Sequence, residues 1–287
     1  MKKLLIYIFF LQVFFLNSVF SLAQGDSNQS NLRNPQTDED ALVALYNATD
    51  GDNWTDNTNW LSAEPLGDWY GITTDGDGYV TDIDLYNNNL VGFIPPELGN
   101  LLNLQFLRFG NNQLEGSIPM QIGNLNNLTY LDLGTNQLSE NIPAVLGNLL
   151  NLQELYLPFN QLSGTIPPEL GNLSNLQYFS LSSNQLSGSI PPELGYLVNL
   201  KEIVLNSNQF SGDIPPELGN MTSLESLALS WNNLSGNIPA NLSNLDNLTG
   251  LYIRSNSLTG TIPSDLGNLV NLEGFAIDNN SFTGSIP

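Results

Sequence analysis

The 287-residue chain has no cysteine and no histidine, and only six lysines and arginines against 28 aspartates and glutamates. Without cysteine there is no disulfide framework, no thiol nucleophile and no lipid-modified amino terminus. Most zinc sites and the commonest general base go with the missing histidine and cysteine. The scarcity of positive charge excludes nucleic acid and anionic membrane as partners, because a formal net charge of −22 repels both. Beyond residue 16 no apolar run approaches the ~20 residues needed to cross a bilayer.

The amino end is the exception to that polar character. Met1, Lys2 and Lys3 lead into an apolar run over residues 4–16 and the small-residue site Ser21-Leu22-Ala23. This order reads as a secretory signal peptide, residues 1–23, cut after Ala23; the competing reading, a membrane anchor, requires a longer run. Cleavage removes Lys2 and Lys3 and no acid, so −22 becomes −24. Such acidity keeps a secreted, elongated protein soluble.

Residues 24–36 are polar and without period, a flexible leader. Thr37-Asp38-Glu39-Asp40 then supplies a helix cap with acids in the first turn, and Leu42, Leu45 and Tyr46 follow at helical spacing, a helix of about three turns. Trp54, Trp60, Leu61, Trp69, Tyr70 and Ile72 come next. They are expected to fill a terminal cap, residues 37–79, rather than a ligand pocket, because a stacked-repeat core needs its raw end covered. Asp75-Gly76-Asp77-Gly78 has the alternation of a calcium loop but lacks the late bidentate glutamate, so a hairpin turn is expected there.

From Val80 one phrase repeats to the end of the chain. Its asparagine falls at Asn88, Asn112, Asn136, Asn160, Asn184, Asn208, Asn232, Asn256 and Asn280, a constant step of 24 residues. A fixed period of roughly 20–50 residues marks a solenoid whose units bury their apolar faces only by stacking. In one unit, Leu155 and Leu157 are two apart and face inward from a short strand while Tyr156 faces out. Asn160 stands where the chain leaves that strand, and its amide suits the backbone groups of its own turn and of adjacent coils. Leu162-Ser163-Gly164-Thr165-Ile166 alternates again, a second short strand with Gly164 on the inward side. Pro167, Pro168 and Gly171 leave room only for a 3-10 turn before Leu176.

The phrase LxxLxLxxNxLxGxIPxxLGNLxxL resembles the plant-type leucine-rich repeat over residues 80–287, nine units with the last truncated. The resemblance implies an α/β solenoid: a right-handed superhelix with a concave parallel β-sheet, second short strands and 3-10 turns on the other faces, and a helical and hairpin cap at the amino end. It also implies ligand recognition by the concave face. Plant members carry paired cysteines around the Trp-x-Gly segment of that cap, and this chain has none, which points to a bacterial-like cap. The chain stops within the ninth unit, and the natural protein is expected to continue.

Outward positions stack into columns. One reads Asp82, Phe106, Tyr130, Glu154, Tyr178, Glu202, Ser226, Gly250, Gly274; the next reads Asp84, Arg108, Asp132, Tyr156, Ser180, Val204, Ala228, Tyr252, Ala276. Phe106, Tyr130, Tyr156 and Tyr178, flanked by Arg108, Asp132 and Glu154 with Phe159 at a strand end, form the candidate binding patch. Exposed aromatics beside carboxylates suit an extracellular polypeptide or a carbohydrate. The small residues of the later coils look like a poor site, although Trp231 stands alone at a strand end. The second-strand face offers Ser163, Thr165, Ser187 and Ser189 among repeated hydroxyls, a pattern that also admits ice binding. Asp132 with Glu154 is formally a carboxylate pair for glycoside cleavage, but an open surface cannot exclude water, so the chain is expected to be non-catalytic and to need no cofactor or metal. Expected at Glu140, which replaces the coil glycine, is a local bulge that turns the carboxylate outward. The reading is a secreted or cell-surface recognition module; the alternative is a passive surface scaffold.

Overall fold

The computed structural model describes residues 35–286. The expected signal peptide and nearly all of the leader lie outside the described residues. The helix Pro35–Ala48 begins two residues earlier than Thr37. Asp38, expected merely to sit in the first turn, is fully buried, and its Oδ2 accepts the Val80 N–H at 2.9 Å. A buried carboxylate thus ties the helix to the first repeat strand.

The cap tryptophans are interior. Trp54, Trp60 and Trp69 are buried, with ring centroids 4.7 Å apart for the first pair and 5.1 Å for the second. Each indole N–H finds a carbonyl: Trp54 that of Thr49, Trp60 that of Tyr70, Trp69 that of Glu64. Burial of so much aromatic surface is possible because those polar handles are satisfied. The Asp-Gly stretch is a hairpin turn: Asp75 Oδ1 accepts the N–H groups of Asp77 and Tyr79, and Ile72–Thr74 pairs antiparallel with Val80–Asp84.

From there every coil adds one parallel strand to a ten-stranded sheet, ending with Gly274–Ala276. In one coil, Leu152, Leu155, Leu157, Leu162, Ile166, Leu170 and Leu173 are all buried to within 1%. Burying each such side chain contributes about 2 kcal/mol, and the contribution exists only because the neighbouring coils cover it. A 3-10 turn such as Pro168–Asn172 closes each coil on the side away from the sheet.

The asparagines bond as their chemistry dictates. Asn160 Nδ2 donates to the carbonyls of Leu133 at 3.0 Å and Leu157 at 3.3 Å, while its Oδ1 accepts the Leu138 N–H at 2.9 Å. Its equivalents repeat this to Asn280. At the cap the ladder is completed by Asp56, whose N–H and C=O both bond Asn88.

The second strands are shorter than the alternation suggests. They form two three-stranded sheets, and over 162–166 only the isolated bridge of Asn141 with Ser163 is made. The break follows Glu140. Its carboxylate is exposed, but the device is not a bulge: Glu140 takes φ +66. Gly164, read as inward, is partly exposed, has φ +76, and a Cβ there would strike the Asn141 side chain of the preceding coil. The glycine column is therefore set by left-handed backbone, which glycine adopts without penalty.

Candidate functional site

The outer face of the broad sheet is built by register alone. Asp82 pairs with Phe106, Phe106 with Tyr130, Tyr130 with Glu154 and Glu154 with Tyr178. Alongside run Asp84, Arg108, Asp132, Tyr156 and Ser180 in the same registers. Both columns are those read from the sequence.

Three of the aromatic rings come together. Phe106 and Tyr130 stack with centroids 4.3 Å apart at 14°, and Tyr130 meets Tyr156 at 5.8 Å, tilted by 54°. Burial pushes the Tyr130 hydroxyl up to about 12, with the Asp132 charge adding to it. Tyr156 is pushed up as well, first by burial and then by its hydrogen bond to the Glu154 carboxylate. Tyr178 and Phe159 stand apart from this stack. Tyr178 receives the Lys201 ammonium at 5.8 Å from its ring centre. Phe159, 59% exposed, projects from a backbone with φ +53.

Beside the rings lies a charge clamp. Arg108 reaches Asp84 and Asp132, each at 3.6 Å, and lies over the Tyr86 ring at 4.1 Å from its centre. Burial raises the Asp132 carboxyl, opposed by the Gly134 N–H and by Arg108. Its side chain fits because Gly110 and Gly134 flank it: a Cβ at Gly110 would stand 2.6 Å from Asp132 Oδ2. Tyr86 and Lys201 add to the patch expected from the sequence, and Asp84, at the head of the second column, joins it through Arg108. Tyr86 lies two residues beyond Asp84, past the end of the strand, so only stacking a third column finds it.

A second asparagine ladder also escaped sequence reading. Asn127, Asn151, Asn175 and Asn199 each donate Nδ2 to the carbonyl 25 residues earlier, at 2.8 Å. These amides lie just before the strands and are exposed, so they bond coil to coil at the rim of the sheet. The signal was the Asn column itself, visible at the same 24-residue step.

The fold and its two ladders define a class. A family model for a leucine-rich repeat region matches residues 85–212 and 146–285, and the chain belongs to the leucine-rich repeat proteins, of the plant type. It is similar to the leucine-rich repeat ectodomain of the plant membrane receptor kinase GASSHO1/SCHENGEN3 from Arabidopsis thaliana, solved in complex with CASPARIAN STRIP INTEGRITY FACTOR 2. There the identity is 38% and the TM-score 0.84, over 87% of this chain and 30% of that one. It is similar to the Arabidopsis receptor kinase HAESA ectodomain, in complex with an extended IDA peptide hormone ligand, at 37% identity and TM-score 0.76, over 88% and 42% of the two chains. A plant ice-binding protein matches at 28% identity and TM-score 0.67, over 88% of this chain and 89% of that one. The chain spans 9% and 31% of the length of two curated Arabidopsis thaliana relatives that it matches. No helix among the described residues is long and apolar enough to cross a membrane.

Proposed function

We propose that this chain is a secreted or cell-surface recognition module that binds an extended extracellular polypeptide, without catalysis, across the concave face of its first five coils. The observation that carries the reading is the continuous run of rings, Phe106 on Tyr130 on Tyr156, beside the Arg108 clamp. An aromatic strip supplies contact area at low conformational cost, and fixed charges beside it set register. The peptide ligand in the HAESA complex supports the same choice of partner. The apolar run at residues 4–16 supports export.

The test is panning a displayed random-peptide library on the full chain, then measuring selected peptides on the variant Tyr130→Ser, Tyr156→Ser, Tyr178→Ser. Selected peptides are expected to lose binding to the variant while its melt stays that of the parent. Peptides that bind the variant equally well would take the site off the aromatic strip, and no selection at all from a folded chain would leave the passive-scaffold reading standing instead.

Ice binding is a second reading, favoured by the match to a plant ice-binding protein along nearly the whole of that chain. The second-strand face carries its hydroxyls, but the sheet there is broken at Glu140. Unshaped ice crystals in the presence of the intact chain would end this reading.

A further inference from the structure

The distal coils, which look featureless as sequence, hold the second aromatic surface of the sheet. Ser226–Ala228, Gly250–Tyr252 and Gly274–Ala276 pair in parallel, so Gly250 and Gly274 lie side by side. That pair of glycines is filled. A Cβ on Gly250 would stand 2.6 Å from Tyr252 Cε2, and one on Gly274 would strike the Tyr252 hydroxyl. The Tyr252 ring therefore lies down across both strands, with 38% of the residue open to solvent.

At one end of these strands is an open cleft of about 400 Å³, lined mostly by polar groups, Glu225, Asn247, Thr249, Asn271 and Glu273, with Val270 and Leu272 beside them. Asn247 and Asn271 each spend one amide N–H on the preceding coil, to the carbonyls of Thr222 and Asp246. At the other end stands Trp231, which is 51% exposed and takes φ +54. A left-handed backbone under a bulky side chain is strained, and asparagine, glycine or aspartate would carry it more readily. The indole is braced as well: Arg254 lies 5.4 Å from its ring centre and is itself held by Asp278 at 2.8 Å.

We infer that this surface is a second binding site, for a neutral oligosaccharide. Aromatic faces attract the polarised C–H groups on one side of a pyranose ring, and carboxylates and amides beside them pair its hydroxyls. A peptide fits this surface poorly. The backbone groups of Gly250–Tyr252, under the Tyr252 ring, are paired on both sides within the sheet, so an added strand could join only beyond Gly274–Ala276 and not across this face. The floor of Gly250, Gly274, Ala228 and Ala276 provides no apolar recess for a side chain. Glu225, Glu273 and Asp278 repel acidic sugars, which selects neutral ones. From Thr249 to Arg254 the chain runs about 16 Å, the reach of a short oligosaccharide rather than of one ring.

The other three tryptophans are buried in the cap, so Trp231 is the exposed reporter among the four. The experiment titrates the full chain with cellohexaose, xylohexaose, mannohexaose and laminarihexaose, reading calorimetry and tryptophan emission. At least one is expected to bind and to shift the Trp231 emission. Tyr252→Ala and Trp231→Asn should each weaken Kd by about tenfold, the worth of one aromatic contact. Trp231→Asn suits the left-handed backbone, so its fold is not at risk. Tyr130→Ser with Tyr156→Ser should bind the sugar as the parent does, which keeps this outcome separate from the fate of the peptide site. The inference is overturned if none of the four sugars gives heat or an emission change. It is equally overturned if binding survives Tyr252→Ala and Trp231→Asn, or is lost only in the Tyr130 and Tyr156 variant.

Discussion

Asn160 Nδ2 sits 3.0 Å from the carbonyl of Leu133, 27 residues earlier in the preceding coil. With its Oδ1 on the Leu138 N–H, one buried amide holds two backbone groups of a coil to which it does not belong. Asn160→Ala would leave both without partners in the interior, at an expected cost of about 3 kcal/mol. The rim amide of Asn175, 2.8 Å from the Leu150 carbonyl, is exposed. Water replaces it, so Asn175→Ala should cost only about 0.5 kcal/mol. Urea melts of the two variants check the difference, and equal losses would refute the distinction between the ladders.

Glu140 is the one non-glycine in its column of nine, and it holds φ +66. A side chain in left-handed backbone costs about 1 kcal/mol relative to glycine. Glu140→Gly should therefore raise stability by that amount. Urea melts read the gain; the Ser163 N–H already donates to the residue-140 carbonyl at 2.9 Å, so its protection from hydrogen exchange should rise only in step with that gain. A destabilised variant would show that Glu140 makes a contact stronger than its strain.

Much of this was legible in advance. Register, columns, cap and turns follow from a period that never slips, because every unit obeys the same packing constraint. What the sequence hid came from departures too small to disturb that period. Glu140 is exposed by a backbone angle that alternation of side chains does not encode. Tyr86 lies outside the two strand columns and joins the site only through Arg108, a contact across coils. Gly250 and Gly274 read as emptiness, although their missing side chains are what let Tyr252 lie flat.

Tyr130 and Tyr156 tie the concave site to alkaline stability. Both hydroxyls are held up by burial in the folded chain, Tyr130 to about 12 against an ordinary 10.0. The unfolded chain thus loses these protons first as pH rises, so the folded state binds more protons and its stability falls with pH. The contribution is intact below 10.0 and is lost as the pH climbs from there through about 12. Melts across that range should fall more steeply for the parent than for Tyr130→Phe with Tyr156→Phe. Parallel curves would mean the two phenols ionise as freely folded as unfolded.

Arg108 and Asp132 give the last test, in the acid range. Burial raises the Asp132 carboxyl, and Arg108 is one of the groups that restrain the rise. Its side chain is 14% exposed, so the carboxylate has little water to fall back on. Arg108→Ala should move Asp132 further up, visible as a later carboxyl carbon transition by NMR. A carboxyl raised by folding makes the folded state the better proton binder, so stability lost at neutral pH returns as the pH drops through its folded value. Asp132→Asn should rescue the Arg108→Ala variant at neutral pH and do little for it once the carboxyl is protonated. If the double variant is no better than Arg108→Ala at neutral pH, then Arg108 acts through its packing on Tyr86 and not through charge.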